Sequence, residues 1–349
     1  MNLGLKAKKT LEEFVPVMDS KIGQFFDNEL AKNFGFNRRQ AGVVRETLEH
    51  AREYILRPTK RLRGSFVVYG YQLGGKQADD KVWDAAVATE VVHAALLMHD
   101  DFQDRDDLRR GGPSTHKYFQ AKYQSEEHFG ESMAVNVGDE ILCLGYDLLA
   151  GCGNEKATRK MLSGIAQTAY GQAYDLTLEE LKEWTEEDVL VLHRAKTGIY
   201  TYENPLLIGA YLAGLEGGAV EILKEYAADG GVAFQLQDDI LGVYGDPEKT
   251  GKSADSDLKQ GKCTLLVLKA LDRPEVKKVW GNKDASRADL DAAKQAIMDS
   301  GSYEYSKKLA AKLAAKAAKT AGGLRKLGLN GEAIDYIQGV AEYMVTREV

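Results

Sequence analysis

The sequence predicts an all-α protein, and three observations lead to that fold class. Apolar residues recur every three or four positions through most of the chain, which is the spacing of one helix face. No segment shows sustained alternation of β-branched residues, and only six of the 349 residues are proline. Neither an internal repeat nor a linker divides the chain. We therefore expect residues 1–349 to form a single helical domain.

The predicted helices follow one another with few breaks. They cover residues 11–30, 43–56, 66–73, 82–104, 132–149, 155–175, 206–215, 219–243 and 298 to the end. Pro58 closes the second helix. Thr185 and Asp188 form a capping pair that opens a further helix, which Pro205 breaks or kinks.

The composition excludes several classes of protein. A hydrophobic share of 44% supports a buried core, and a net charge of −7 argues against a general nucleic-acid binder. Cys143, Cys152 and Cys263 have no metal-ligand spacing, so we expect reduced thiols in a cytoplasmic protein. The N-terminus lacks the apolar run of a signal peptide. No stretch approaches the ~18 apolar residues of a membrane-spanning helix, so we expect no transmembrane segment.

The chain is organised around residues 93–111, which read HAALLMHDDFQDRDDLRRG. In a helix, His93, Leu96, Asp100 and Asp104 share one face, because they recur at steps of three and four. That face is apolar at its start and acidic at its end. An exposed acidic helix end is the plain alternative interpretation.

A second segment with the same character, GGVAFQLQDDILG, spans residues 230–242 and places Gln235, Asp238 and Asp239 on one face. Two acidic helix ends in one chain need a cation, since like charges ~4 Å apart repel by about 4 kcal/mol at an effective dielectric near 20. Oxygen ligands favour a hard divalent ion such as Mg²⁺, which usually binds together with phosphate. The sequence therefore predicts a magnesium and phosphate site.

Basic residues accompany the acidic segments. Arg109 and Arg110 follow the first one in a predicted turn, and their forked guanidinium groups suit phosphate oxygens. The basic cluster Lys60–Arg63 is either a solvated helix end or a second phosphate clamp. Lys196 lies in an apolar helix, where a lysine needs an anionic partner.

Residues 245–253, GDPEKTGKS, resemble a P-loop but do not fit the pattern. Five residues separate the first glycine from Gly-Lys where the motif requires four, and a helix rather than a strand precedes it. We expect a charged loop that offers Lys252, Asp257 and Lys262 to phosphate or to metal-bound water.

Together these motifs resemble the trans-isoprenyl diphosphate synthases, the head-to-tail prenyltransferases of the farnesyl and geranylgeranyl diphosphate synthase type. The resemblance extends from about Lys60 to Lys262. It rests on DDxxD followed by RRG, a histidine seven residues upstream, KT, GxxFQxxDD, TGK and a later DLxxGK, in that order. It implies an isoprenoid synthase helical bundle around a central cavity. It also implies a homodimer that condenses isopentenyl diphosphate with an allylic prenyl diphosphate.

The resemblance assigns roles to individual residues. The metal ligands would be Asp100, Asp104 and Asp238, assisted by Asp101, Asp239 and Asp257, with about three Mg²⁺ ions once substrate is bound. The allylic diphosphate would be held by Arg109, Lys196 and Lys252, with Lys262 nearby, and isopentenyl diphosphate by Lys60, Arg63, His93 and Arg110. Thr197 and Gln235 would face the developing cation, and Gln172 and Asp175 would line the same cavity.

This chain departs from the family pattern at two places, and the length of its product depends on a further difference. Gly242 stands where many relatives have a third aspartate, and Thr59 and Gly64 flank the basic cluster in place of glycine and proline. Farnesyl-type relatives have aromatic rings just before the first acidic motif, whereas this chain has Ala95 and Leu96. With Val92, these residues are expected to point down the product channel. We expect a product of C20 or longer, unless the channel floor lies elsewhere.

Four alternatives remain at this point. A farnesyl diphosphate synthase would make a shorter product. A class I terpene cyclase shares the first acidic motif but uses a single diphosphate and typically lacks the Asp238-Asp239 pair. A non-catalytic partner subunit usually loses an acidic motif, and both persist here apart from Gly242. A helical scaffold would leave Lys196 and the paired arginines unexplained.

Overall fold

A computed structural model describes residues 2–245 and 255–347, and nearly all of its secondary structure is helical. The first helices are α1 (Leu3–Ala31), α2 (Arg38–Leu56), α3 (Leu62–Gln72), α4 (Asp80–Gln103), α5 (Thr115–Tyr123), α6 (Glu127–Gly151), α7 (Glu155–Leu181) and α8 (Glu186–His193). A π-helical segment, Arg194–Glu203, continues α8 into α9 (Asn204–Ala213). Further along the described chain come α10 (Gly218–Tyr244), α11 (Ser256–Gln260), α12 (Leu265–Leu268), α13 (Pro274–Val279), α14 (Arg287–Asp299), α15 (Ser302–Gly322), the 3₁₀ turn Gly323–Leu327 and α16 (Gly331–Thr346).

Within the described residues, one short antiparallel strand pair interrupts the helices. Strand β1 (Leu108–Arg109) pairs with β2 (Gly112–Pro113), and Arg109 lies opposite Gly112. Arg110 and Gly111 form the turn between them with left-handed backbone φ values of 51° and 80°. This hairpin is the predicted basic turn, and the predicted all-α fold class is confirmed.

Helix boundaries differ from the prediction where capping groups and glycines act locally. Helix α1 begins at residue 3 because the Asn2 side chain accepts a hydrogen bond from the Leu5 amide. A reciprocal capping box between Asn37 and Gln40 starts α2 at residue 38. Gly301 and Gly328 have left-handed backbone conformations and interrupt the helix predicted from residue 298 onward. Helix α11 lies in the segment that was predicted to be a loop. The capping pair at the start of α8 is confirmed.

Close backbone contacts hold the central helices together. The Cβ that an alanine would add at Gly209 in α9 would lie 2.0 Å from the Val67 carbonyl oxygen in α3. At Gly145 in α6, the added atom would lie 2.9 Å from a methyl group of Val92 in α4. Small residues therefore let α4 lie deep in the bundle, where residues 85–95 are all buried. None of the described helices combines the length and apolar character needed to cross a bilayer.

The fold places both acidic segments at helix C-terminal ends. Asp100 lies in the last turn of α4, whose C-cap is Asp104, and Asp238 and Asp239 lie near the end of α10. In the last turn of α4, the helix dipole disfavours a carboxylate by about 0.3–1 kcal/mol. At Asp100 and Asp104 the dipole therefore adds to the mutual repulsion of the acids, and both effects favour cations there.

Candidate active site

A cavity of about 520 Å³ lies where the ends of α4 and α10 meet the π-helical segment. Most of the predicted site residues line it: Lys60, Arg63, His93, Asp100, Asp104, Arg109, Gln172, Asp175, Lys196, Thr197, Gln235, Asp238, Asp239, Asp257 and Lys262. Asp101 and Arg110 are not among its lining residues, and Lys252 lies outside the described residues. Asp100 and Asp238 are 138 residues apart in the sequence. The fold thus brings both acidic segments to one cavity.

Lysines neutralise the acids at the end of α4. Lys262 Nζ lies 2.7 Å from Asp104 Oδ2 and 2.9 Å from Glu179 Oε1. Burial raises the pKa of the Asp104 carboxyl and Asp100 raises it further, while Lys262 opposes both effects. Burial alone would lower the pKa of Lys262, but the carboxylates around it reverse the direction and raise it well above its usual range. The ammonium group therefore stays charged.

Lys196 joins this network from the π-helical segment. Its Nζ donates to Asp175 Oδ2 at 2.7 Å and lies 3.8 Å from Asp100 Oδ1. Burial lowers the pKa of this lysine, and the two carboxylates more than offset that effect, so that its pKa is raised. The anionic partner that the sequence required for Lys196 is therefore Asp175, with Asp100 close by.

Asp101 is turned away from the cavity. Its side chain is completely buried, and it accepts hydrogen bonds from Tyr54 Oη at 2.7 Å and from Arg109 Nε at 2.6 Å. Burial raises the pKa of Asp101, and Arg109 acts in the opposite direction. This geometry gives no support to the predicted part of Asp101 in metal binding. It makes Asp101 the residue that holds the Arg109 side chain.

A chain of hydrogen bonds connects the π-helical segment with α10. Thr197 Oγ1 donates to Gln235 Oε1 at 2.6 Å, and Gln235 Nε2 donates to Asp239 Oδ1 at 3.0 Å. His193 Nε2 lies 3.1 Å from the other oxygen of Asp239. Thr197 and Gln235 thus hold each other at the cavity wall, and Gln235 also holds one oxygen of Asp239. The other oxygen, Oδ2, is buried and has no hydrogen-bond partner among the described residues.

The π-helical geometry explains how Lys196 and Thr197 reach the cavity. The Asn204 amide donates to the Ile199 carbonyl five residues earlier, and the next residue, Pro205, has no amide hydrogen to donate. A Cβ added at Gly231 of α10 would lie 2.2 Å from the Cα of Gly198, so the two backbones touch there. Periodicity predicted a helix and a break at Pro205, but it could not predict the π-helical turn.

Lys60, Arg63 and His93 form a second set of nitrogen-bearing side chains that line the cavity. Arg63 donates to Thr201 Oγ1 at 2.7 Å and its guanidinium carbon lies 5.4 Å from the centre of the Tyr200 ring. Arg63 Nε and His93 Nδ1 are buried and have no hydrogen-bond partner among the described residues. Burial and the nearby Arg347 lower the pKa of Lys60 to about 8. Burial and Arg63 hold the pKa of His93 well below its usual range, so its ring is neutral.

Arg347, near the end of the described chain, was not predicted as a site residue. It is buried, lines the cavity and donates to Asp238 Oδ1. Its carbonyl oxygen accepts from Gln237 Nε2 at 3.0 Å, and its guanidinium carbon lies 4.3 Å from the centre of the Phe234 ring. Arg347 thus neutralises Asp238, which the family resemblance assigns as the main metal ligand on α10. Glu179, the second partner of Lys262, was likewise missed because no motif contains it.

Asp257 fills the space that the departure at Gly242 leaves. A Cβ added at Gly242 would lie 2.1 Å from Asp257 Oδ2 and 2.8 Å from its Cγ. Position 242 therefore has to be glycine for the Asp257 carboxylate to stay where it is. Asp257 occupies this part of the cavity in place of an acidic side chain at position 242.

The residues predicted to line the product channel are placed differently from one another. Leu96 lines the cavity as predicted, and Leu97 joins it. Val92 and Ala95 are completely buried and are not among the lining residues, so their predicted orientation is not supported.

Comparison with known proteins decides the family. The polyprenyl synthetase family model matches residues 45–298. This chain belongs to the polyprenyl synthetase family. The geranylfarnesyl diphosphate synthase of Aeropyrum pernix is 38% identical over 258 residues, covering 70% of this chain and 77% of that protein. The geranylgeranyl diphosphate synthase of Methanosarcina mazei is 31% identical over 296 residues, covering 83% and 86%.

Solved structures agree with this assignment. The crystal structure of geranylgeranyl pyrophosphate synthase from Corynebacterium glutamicum, complexed with isoprenyl diphosphate and magnesium, matches with a TM-score of 0.85 at 28% identity. The match covers 97% of this chain and 99% of that one. The family resemblance that the motifs indicated is therefore confirmed, and so is the helical fold that it implied.

We predict that Gly242→Ala weakens the binding of inorganic diphosphate in the presence of Mg²⁺, because the added methyl group must displace the Asp257 carboxylate. Displacement of a group near a metal site typically costs about 10- to 100-fold in affinity. Titration calorimetry measures this effect. Gly42→Ala is the matched control, since an added Cβ at Gly42 meets nothing within 4 Å. Equal affinities in Gly242→Ala and wild type would contradict the role given to Asp257.

Proposed function

We propose that this protein condenses isopentenyl diphosphate with an allylic prenyl diphosphate, head to tail, and releases a longer (E)-prenyl diphosphate. The observation that carries the proposal is that two sets of basic side chains line one cavity together with both acidic helix ends: Lys196, Lys262 and Arg109, and Lys60 and Arg63. A reaction between two diphosphates needs two such groups, whereas a cyclase that uses one diphosphate needs one. Membership in the polyprenyl synthetase family supports the same reaction.

Mg²⁺ is the proposed metal, in about three ions once substrate is bound. Among the described residues, no three histidine, cysteine or acidic side chains form a ready-made metal site. That arrangement suits Mg²⁺, which is usually held by one or two carboxylates together with substrate phosphates rather than by a protein cage. Asp100 and Asp104 would hold it at α4, and Asp238 at α10. When bound, Mg²⁺ supplies neutralisation of the charge on the departing diphosphate.

The first cation group would hold the allylic diphosphate. Lys196 and Lys262 are paired with Asp175 and Asp104 on the cavity wall. Arg109 Nη2 lies 3.7 Å from Asp100 Oδ2 on the same wall. These cations can transfer from the carboxylates to a diphosphate at little cost, because the site stays close to neutral throughout. Lys252 is proposed to assist them from outside the described residues.

Other side chains would control the carbocation. Thr197 and Gln235 are fixed by their mutual hydrogen bond, so their oxygen dipoles can face the positive carbon without reorganising. Gln172 donates to Asp104 at 3.4 Å and lines the cavity beside Asp175. Leu96, Leu97 and Leu192 add an apolar lining that keeps water from the cation.

The second cation group would hold isopentenyl diphosphate. Lys60, Arg63 and His93 line the cavity together. Arg63 Nε and His93 Nδ1 are buried without hydrogen-bond partners among the described residues, and the oxygens of a diphosphate would supply those partners. A diphosphate would also restore the full charge of Lys60, whose pKa is about 8 without it. Arg110, in the turn of the hairpin, is proposed to bind isopentenyl diphosphate as well.

We propose a product of C20 or longer. No aromatic side chain stands at Leu96 or Leu97, where the apolar lining begins below Asp100. The relatives that the chain resembles include proteins named for C20 and C25 products.

We also propose that the protein is a cytoplasmic homodimer whose subunit is one helical domain. Several large apolar side chains on α6 and α7 are exposed, including Val135, Leu162, Tyr170, Tyr174 and Leu181. Tyr170 is 72% exposed, which is unusual for a ring on a helix of a soluble enzyme. Contact between two copies through α6 and α7 would bury this face.

The proposed reaction can be tested directly. With Mg²⁺, isopentenyl diphosphate and geranyl or farnesyl diphosphate, the wild-type protein is expected to extend the allylic chain. Arg63→Gln is expected to raise KM for isopentenyl diphosphate by tenfold or more, with a smaller effect on the allylic substrate. Lys224→Gln, an exposed lysine of α10 paired with Glu221, serves as control. Cyclised hydrocarbon from the allylic substrate alone would contradict the proposal.

Leu96→Phe is expected to shorten the main product by at least one five-carbon unit, because the ring would fill the channel below Asp100. Product chain length is measured by chromatography after removal of the diphosphate. Leu5→Phe, at an exposed position in α1, is the control and should leave the product unchanged. An unaltered product from Leu96→Phe would place the floor of the channel elsewhere.

A further inference from the structure

Arg57, the residue after the last turn of α2, holds the backbone of the hairpin that carries Arg109 and Arg110. Its Nη1 donates to the Arg109 carbonyl oxygen at 2.9 Å and to the Pro113 carbonyl oxygen at 3.0 Å. These two carbonyls come from the two strands of the hairpin, β1 and β2. One guanidinium nitrogen thus joins both strands.

The guanidinium group is itself fixed from the other side. Arg57 Nε donates to Glu53 Oε1 at 2.9 Å, and Nη2 donates to Glu53 Oε2 at 2.7 Å. Glu53 lies one turn earlier on α2, so this two-pronged ion pair sets the orientation of the guanidinium plane. Only 5% of the Arg57 side chain is exposed, and Arg57 is not among the residues that line the cavity.

The hairpin needs such a support. Its ladder is two residues long on each side, and a hairpin of that size is not stable alone in water. Arg110 adopts a left-handed backbone conformation, with φ of 51°, which is unfavourable for a residue with a side chain. The surroundings therefore have to impose this turn, and Arg57 is the group in contact with both of its strands.

Gly112 makes room for this contact. A Cβ added at Gly112 would lie 2.5 Å from the Arg57 Cζ and 2.7 Å from its Nη2. The φ of Gly112 is not left-handed, so the glycine serves close approach rather than an unusual backbone shape. The guanidinium group thus packs directly against the hairpin backbone.

Helix α2 holds the Arg109 side chain as well as its backbone. The Tyr54 hydroxyl donates to Asp101, which in turn accepts from Arg109 Nε. The Arg57 guanidinium carbon lies 4.9 Å from the centre of the Tyr54 ring, so the two supports contact each other. Tyr54 and Arg57, one turn apart at the end of α2, therefore determine where Arg109 points.

We propose that Arg57, held by Glu53, is a positioning residue: by fixing the hairpin, it directs Arg109 at the diphosphate groups in the cavity and sets the turn that carries Arg110. This inference rests on the proposed function, because it takes Arg109 and Arg110 to bind diphosphate. Arg57 acts through the hairpin and does not touch the substrate.

The test compares Arg57→Met, which keeps an unbranched stem but removes every donor, with Arg52→Met in α2. Arg52 pairs with Asp27 at 2.7 Å. We expect Arg57→Met to raise the Kd for inorganic diphosphate, measured by calorimetry with Mg²⁺, and KM for the allylic substrate by on the order of tenfold or more. Wild-type values in Arg52→Met and partial recovery in Arg57→Lys are expected. A loss of stability alone would lower the active fraction and kcat without changing KM or Kd.

Gly112→Ala provides a second test from the hairpin side, for the case that Arg57→Met does not fold. Its methyl group crowds Arg57 Cζ, and we expect the same rise in Kd and KM. Wild-type Kd and KM in whichever of these two variants folds would overturn the inference. Wild-type protein that binds diphosphate but extends no allylic chain would overturn the proposed function, and the comparison of Kd values would still decide the role of Arg57.

Discussion

The neutralisation of acids gathered at two helix ends is the constraint on which the rest of the site depends. Asp100, Asp104 and Asp238 lie near the negative ends of α4 and α10 and line one cavity. In the structure each of them lies near a cation: Lys196 beside Asp100, Lys262 on Asp104 and Arg347 on Asp238. Without these partners, the repulsion among the carboxylates and the unfavourable position of Asp100 and Asp104 on the α4 dipole would oppose closure of the bundle.

The same pairs suit the proposed chemistry. A magnesium diphosphate can take over both halves of each ion pair, with metal on the carboxylates and phosphate oxygens on the lysines and arginines. The protein therefore does not have to expose an isolated buried charge when substrate enters or product leaves. Two supporting pairs, Asp101 with Tyr54 and Arg57 with Glu53, lie outside the cavity. They keep Arg109 directed at it.

Much of this site follows from local patterns in the sequence. Helical spacing predicts the faces that carry Asp100, Asp104, Asp238 and Gln235, because a carboxylate three or four positions after another must lie beside it. The requirement of a buried lysine for an anion predicts that Lys196 has a carboxylate partner, and Asp175 is that partner. These inferences need only the geometry of a single helix and the cost of burying a charge.

The rest depends on contacts between distant segments, which spacing does not contain. Arg347 reaches Asp238 across 109 residues, and Arg57 reaches the hairpin across more than fifty. The π-helical turn depends on how Gly198 meets Gly231 of α10, and the glycine at 242 makes sense only beside Asp257. The family resemblance predicts that Asp101 assists metal binding, whereas contacts that spacing does not contain bury Asp101 against Tyr54 and Arg109.

The most direct test of the exchange of ion pairs is the coupling between Mg²⁺ and inorganic diphosphate, measured by calorimetry with each ligand alone and in the presence of the other. If the lysines and arginines occupy the carboxylates until both ligands arrive, each ligand alone binds weakly. Each then raises the affinity for the other by the same factor, on the order of tenfold or more. Tight binding of Mg²⁺ alone, unchanged by diphosphate, would reveal a preformed metal cage and contradict this account.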